Sequence, residues 1–336
     1  MQILITGGGG FLGGLLARTL LKNGRLRGET ITGMTLADLY PPTHAELVGD
    51  SRVRNDTGDL LDRMDRLLAH EYDAVFHLAS AVSGECENDF GLGLRSNLEA
   101  TRRLLEGLRA QQARSGRPPL FFFASSVAVF GSDAAVPLPA VVRDDTLPTP
   151  QSSYGIHKFI CEQLVADYTR KGFIDGRAAR LMTVSVRPGR PNGAASGFLS
   201  GIVREPLAGI DTVCPVDPAL SVALASPATT IAGILKVVEV SREAFGGRTA
   251  INLPALTVTV SQMLQARADS AGAEVAARVT VAPDPAVERL VGSWPSRFES
   301  ARAQRLGLVG DASFAEVIAQ YRRELPAAAT PARTGA

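Results

Sequence analysis

The sequence predicts an α/β fold, a doubly wound parallel sheet followed by a smaller C-terminal lobe. Through the first half, short apolar runs alternate with longer segments of helical period, the pattern of βαβ units. The apolar runs are almost continuously hydrophobic, as strands must be when helices cover both faces of a sheet. Near residue 190 the pattern loosens into glycine, proline and small residues, which suits a lobe closing over a crevice. With 336 residues, 45% of them hydrophobic and 21% charged, the chain can bury a full core.

The elements follow in order. "QILIT" is a strand that runs into a glycine turn and the helix "FLGGLLARTLLKN". "TGMTLADL" is the second strand, and a short third strand precedes "TGDLLD", where the helix "LLDRMDRLLAH" begins. "AVFHLA" and "LFFFAS" are the fourth and fifth strands, separated by the long helix "LGLRSNLEATRRLLEGLRAQQ". "SYGIHKFICEQLVADYTRK" is helical, and "LMTVSVR" reads as the sixth strand. "GRPNGAASGFLSGIVREPLAGIDTVCPV" reads as loop-rich, and "SFAEVIAQYRREL" as a terminal helix. Residues 1–190 are therefore expected to form a nucleotide-binding domain. Residues 191–325 should form mainly a substrate-binding lobe with segments returning to the sheet, and 326–336 a mobile tail.

Composition excludes several classes of function. A formal net charge of +1 leaves no excess of basic residues to track a phosphate backbone, so nucleic acid is not the expected partner. No apolar run approaches the roughly 18 residues of a spanning helix, and "MQILITGGGG" has no charged leader, so neither membrane nor export is expected. Cys86, Cys161 and Cys214 are odd in number and far apart, which suggests packed thiols in a reducing cytoplasm rather than disulfides or a metal site.

The first candidate site lies in the glycine turn. Gly7, Gly10 and Gly13 have the spacing G-x-x-G-x-x-G between a strand and a helix. Side chains there would obstruct the turn, the approach of backbone amides to a pyrophosphate, and the packing of helix on sheet. The helix N-terminus adds free N–H groups for phosphate. Asp38 closes the second strand, where a carboxylate can hold an adenosine ribose and would repel a 2′-phosphate, favouring NAD over NADP; an ordinary strand-end turn residue is the alternative. Asp59 and Leu60 follow the third strand and could border the adenine. Leu78, Ala79 and Ser80 end the fourth, on the rim where open α/β sheets bind ligands. His77, alone in an apolar strand, is expected to be a core residue rather than a metal ligand.

The second candidate site is "SSYGIHKF". Tyr154 and Lys158 stand four residues apart and so share one helical face. An adjacent cation stabilises phenolate and lowers a pKa ordinarily near 10, making Tyr154 a usable base. Ser125 and Ser126 end the fifth strand, where a hydroxyl can donate to a substrate oxygen while the tyrosine takes its proton. Asn97 is an awkward residue for a helix interior; it is expected either to hold a hydrogen bond, such as a water beside Lys158, or to be an exposed polar residue. No G-x-S-x-G elbow accompanies Ser126, which excludes acyl transfer.

In "TGGGGFLG", Asp38, "GDL", "HLAS", Asn97, "SSVAVFG" and the Tyr154/Lys158 pair, the chain resembles the extended short-chain dehydrogenase/reductases of the NAD-dependent epimerase/dehydratase type. The matching pieces span roughly the first 190 residues. The resemblance implies a Rossmann-type domain with NAD held by Gly7, Gly10, Phe11, Leu12, Gly13, Asp38, Asp59, Leu60, Leu78, Ala79, Ser80, Asn97, Tyr154, Lys158 and Pro188. It implies catalysis by Ser126, Tyr154 and Lys158 with Asn97. Phe130 departs from a common tyrosine. The segments "VRPGRPNGAASGF" and "SGIVREPLAG" further resemble dehydrogenases of small sugar acids, implying oxidation of a C2 hydroxyl with hydride passing to NAD. Substrate contacts are expected from Ser80, Ser126 and Tyr154. Arg190 with Asn192, and secondarily Arg204, are candidates to bind the carboxylate, with an ordinary surface arginine as the alternative for Arg190. A homodimer built on the helices of Asn97 and Tyr154 is expected, with those apolar positions alternatively facing the chain's own sheet. The rival expectations are a sugar-nucleotide epimerase or dehydratase, a uronate dehydrogenase, and a non-catalytic NAD sensor.

Overall fold

The structure is a computed structural model that describes residues 1–189 and 195–325. Its centre is a sheet of seven parallel strands. In chain order they are β1 (Gln2–Thr6), β2 (Gly33–Asp38), β3 (Val53–Thr57), β4 (Ala74–His77), β5 (Leu120–Ser126), β6 (Asp175–Leu181) and, much later, a short strand at Ile251–Asn252. Across the sheet the order is Ile251–Asn252, β6, β5, β4, β1, β2, β3. The chain thus starts in the middle, winds out to β3, returns to β4 and continues the other way, and the crevice between β1 and β4 is the switch point where such sheets bind ligands. The register aligns the strand ends: Thr6 faces both Ala37 and His77, and His77 faces Phe123.

Side chains alternate between the two faces. Ile3 and Ile5 join Leu16, Leu20, Phe76, Phe122 and Ile234 on one side, packed by α1 (Phe11–Asn23) and the helix Pro227–Glu239. Leu4 joins Met64, Leu104, Phe121, Phe123 and Val165 on the other, under α2 (Leu60–Leu68), α3 (Ala100–Ser115) and α4 (Ser153–Arg170). A third core, around Val186, Ile202, Val222, Met263 and Phe314, belongs to the chain beyond β6. There α5 (Phe198–Leu207) packs with a three-stranded sheet formed by Thr183–Val184, Ser221–Ala225 and Leu256–Thr259.

Two expectations are corrected. The sixth strand is "DGRAARL", which takes only Leu181 from "LMTVSVR"; Thr183–Val184 is a separate short strand that pairs with Ser221–Ala225 in the smaller sheet. Two buried arginines disguise β6. Arg177 pairs with Asp175 and lies over the Phe245 ring, and Arg180 is clamped by Glu162 at 2.9 and 2.7 Å. The glycine-rich stretch after residue 194 is less loop-like than its composition suggests, because α5 buries Leu199, Ile202 and Val203 along one side. The terminal helix is present as Phe314–Glu324; the tail 326–336 lies outside the described residues. Among the described residues no helix is long and apolar enough to cross a membrane.

Candidate active site

A cleft of about 750 Å³ opens at the carboxyl ends of the strands. Its floor is the glycine turn. Gly7 has a positive φ of 76° and its amide donates to Ala37 O at 2.8 Å. A methyl group at residue 13 would overlap the Gly7 carbonyl oxygen, so α1 can approach the strand end only with glycine there. Asp38 closes β2 beside this turn. Its Oδ2 accepts from the Gly9 and Gly10 amides at 3.1 and 3.0 Å and Oδ1 from the Tyr40 amide at 3.2 Å, so the carboxylate is both a turn-holding group and part of the cleft wall. Asp59 caps α2 by accepting from the Leu61 amide at 2.8 Å, and Leu60, Leu78, Ala79 and Ser80 line the same wall. A bare backbone cradle at a helix N-terminus, bounded by a carboxylate on the next strand, fits a dinucleotide.

At the other end of the cleft α4 brings up the phenol and the ammonium. Ser152 caps this helix by accepting from the Gly155 amide at 3.1 Å. Gly155 lies so close to the Ala128 carbonyl oxygen that any Cβ would overlap it, which seats the helix against the loop leaving Ser126. Ser126 in turn holds that loop by accepting from the Ala128 amide at 3.1 Å. Ser126, Tyr154 and Lys158 all line the cleft. Lys158 is only 4% exposed, donates to Ala124 O at 2.9 Å and stands 5.5 Å from the centre of the Tyr154 ring. Burial lowers its pKa from 10.5 to about 8, against the opposing pull of Cys161, Cys86 and Glu162.

The tyrosine departs from expectation. Burial raises the Tyr154 pKa, and the groups that pull it back are the Ser126 hydroxyl and the guanidinium of Arg187 rather than Lys158. Desolvation of the protein alone therefore makes the phenol a weaker acid, and the cations around it decide how far that is reversed. Arg187 gave no local signal in the sequence beyond being an arginine in a glycine- and proline-rich stretch. It lines the cleft, as do Ser196 and Trp294, the single tryptophan of the chain. All three come from the chain beyond β6.

Asn97 is neither exposed nor in the cleft wall. It sits in a π-helical turn, Leu94–Glu99, just ahead of α3 and is 3% exposed. Its Oδ1 accepts from the Ala81 amide at 2.7 Å and from Ser80 Oγ at 3.0 Å, and its Nδ2 donates to Ala81 O at 3.2 Å. The carboxamide thus fastens the loop after β4, one layer behind the site, and its side chain is committed to that loop rather than to a water beside Lys158. Pro188 is exposed and does not line the cleft. Arg204 also lies off the wall: its guanidinium donates to Arg187 O at 2.8 Å and pairs with Glu205 at 2.5 Å. Arg190 and Asn192 lie outside the described residues. Gly7, Gly10, Phe11, Leu12, Gly13, Asp38, Asp59, Leu60, Leu78, Ala79, Ser80, Ser126, Tyr154 and Lys158 all converge on the one cleft.

His77 is a core residue, with Nδ1 2.6 Å from Thr6 Oγ1 and Nε2 2.9 Å from Thr101 Oγ1; burial lowers its pKa to about 3. No cluster of potential metal ligands exists among the described residues, and the three cysteines are buried and free.

Fold and cleft together define a Rossmann-type enzyme that works on a dinucleotide beside a tyrosine and a lysine. Residues 3–216 match the NAD dependent epimerase/dehydratase family, and the chain belongs to it. NAD is accordingly its cofactor. Over 330 residues it is 48% identical to the D-erythronate dehydrogenase of Cupriavidus necator, a match covering 96% of this chain and 98% of the relative. Over 323 residues it is 40% identical to the D-erythronate dehydrogenase of Haemophilus influenzae, covering 96% and 98%. Among solved structures, a nucleoside-diphosphate-sugar epimerase from Agrobacterium tumefaciens superposes with a TM-score of 0.89 at 38% identity, covering 96% of this chain and 94% of that one.

Proposed function

We propose that this enzyme oxidises the C2 hydroxyl of a small sugar acid, D-erythronate to 2-dehydro-D-erythronate, and reduces NAD in doing so. The observation that carries the proposal is the convergence of Ser126, Tyr154, Lys158 and Arg187 on one cleft. Full-length similarity to two D-erythronate dehydrogenases supports the substrate.

NAD, when bound, supplies the hydride acceptor. The glycine turn and the start of α1 would hold its pyrophosphate, Asp38 its adenosine ribose, and Lys158 its nicotinamide ribose. Ser126 donates to the reacting oxygen and orients it. Tyr154, as phenolate, takes the hydroxyl proton as the C2–H electron pair departs and the C2–O bond becomes double. Arg187 stabilises that phenolate, and Lys158, 5.5 Å from the centre of the ring, adds its charge when protonated. Asn97 acts one step back, by fixing Ser80 and Ala81.

The test is the absorbance of reduced NAD across four- to six-carbon aldonic and uronic acids. Sustained reduction with D-erythronate is expected, and Tyr154→Phe should lower kcat by about 10²–10⁴. No net reduction with any acid, together with epimerisation of a sugar nucleotide, would replace the proposal with the epimerase alternative.

We further propose a homodimer. Phe90 (63% exposed), Ile156 (45%) and Ile160 (39%) leave apolar surface uncovered on or next to the helices of Asn97 and Tyr154, and a second copy would bury it. Sedimentation should give twice the chain mass, with Phe90→Glu plus Ile160→Glu shifting it to the monomer. A monomeric parent would end the proposal.

A further inference from the structure

Arg187 is an unusual charge to find in the wall of the cleft. Nε donates to Val184 O at 3.0 Å and Nη2 to Ser196 Oγ at 3.1 Å, while its own amide is held by Ser200 Oγ at 3.0 Å. The guanidinium is thus fixed rather than swinging, and its partial burial lowers its pKa. Yet no carboxylate among the described residues lies within 4.0 Å of it, whereas its neighbours Arg180 and Arg204 each have one. Residues 190–194 and 326–336 contain no aspartate or glutamate. A half-buried guanidinium with no counter-ion among the described residues is poised to receive an anion. Of the described residues lining the cleft only two are basic, and the other, Lys158, donates to Ala124 O. Arg187 is also close enough to Tyr154 for its charge to be felt at the phenol.

We propose that Arg187 receives the carboxylate of the substrate, and that its closeness to Tyr154 is what selects the hydroxyl on the adjoining carbon for oxidation. This deepens the sugar-acid function proposed above and rests on it. A planar donor pair already oriented by Val184 and Ser196 matches a carboxylate in two-pronged fashion, which an ammonium cannot copy. With the carboxylate held there, C2 is the carbon whose hydroxyl reaches the phenol. A hydroxyl one carbon further along, as in a 3-hydroxy acid lacking the C2 hydroxyl, is displaced from it.

The experiment compares D-erythronate with its uncharged amide, using the enzyme saturated with NAD. In the wild type the acid should have a KM at least about tenfold below that of the amide. Arg187→Met should raise KM for the acid about thirty-fold or more, the low end of what removing one partner of a desolvated charge pair costs. It should change KM for the amide by less than about threefold, with the Kd for NAD unchanged, and Arg187→Lys should fall between. Equal losses on acid and amide would show that Arg187 only positions Tyr154, and weakened NAD binding would assign it to the cofactor; either overturns the proposal. If Arg187→Met does not fold, the wild-type comparison decides, since equal KM values for acid and amide also refute the anchor. Sustained NAD reduction by the wild type with D-erythronate tests the function separately, so loss of the anchor and loss of the sugar-acid reading give different results.

Discussion

Lys158 should make the cofactor-free protein less stable than it would be without it, and the size of the effect follows from its burial. Its pKa falls from 10.5 to about 8, which at 1.36 kcal/mol per pH unit is about 3 kcal/mol. Below about pH 8 the folded protein must keep a proton on a buried amine, and that cost is present in full. Between about pH 8 and 10.5 the native lysine has lost its proton while the unfolded chain retains it, so stability rises with pH. Lys158→Met lacks this titration but shares every other ionisable group, so the difference in Tm between parent and variant isolates it. For 336 residues, an unfolding entropy of roughly 2.1 cal/mol/K per residue converts 3 kcal/mol into about 4 °C. Thermal unfolding without NAD should therefore show the parent gaining on the variant by about 4 °C from neutral pH to about pH 10.5, while the variant reduces no NAD. A Tm difference that stays constant across this range would refute the reasoning: the amine would then be solvated or better paired than its surroundings indicate.

Two further outcomes follow from close packing around the site. Glu162→Gln strands the buried Arg180 guanidinium and weakens the 2.5 Å bond from Ser125 Oγ; it should cost about 3–5 kcal/mol in chemical denaturation, and a loss under 1 kcal/mol would mean that the pair is solvated. Gly13→Ala forces a methyl onto the Gly7 carbonyl oxygen, so calorimetric NAD affinity should fall at least about tenfold, and unchanged affinity would show that the turn relaxes freely.

Much of this was legible from local pattern. The glycine spacing, the period of α1 and α4 and the apolar strands β1, β4 and β5 each carry their signal within a few residues, because tight turns and two-sided burial constrain composition directly. Tyr154 and Lys158 were legible because helical geometry alone puts them on one face. What stayed hidden depends on distant partners. β6 looks polar until Glu162 and Phe245 are brought against its arginines. Asn97 looks like a helix misfit until the Ala81 loop arrives to meet it. The direction of the Tyr154 pKa shift depends on how deeply the ring is buried, which no spacing reveals. Arg187, Ser196 and Trp294 are ordinary in sequence and become neighbours only after the small sheet folds.

The ion pair between Glu162 and Arg180 ties α4 to β6. Tyr154 and Lys158 are therefore riveted to the parallel sheet, whereas Arg187, Ser196 and Trp294, which line the same cleft, hang from the chain beyond it. With the roles proposed above, chemistry and selection are mounted separately, so exchanging the outer segment should redirect such an enzyme to a new acid while its redox apparatus stays as built.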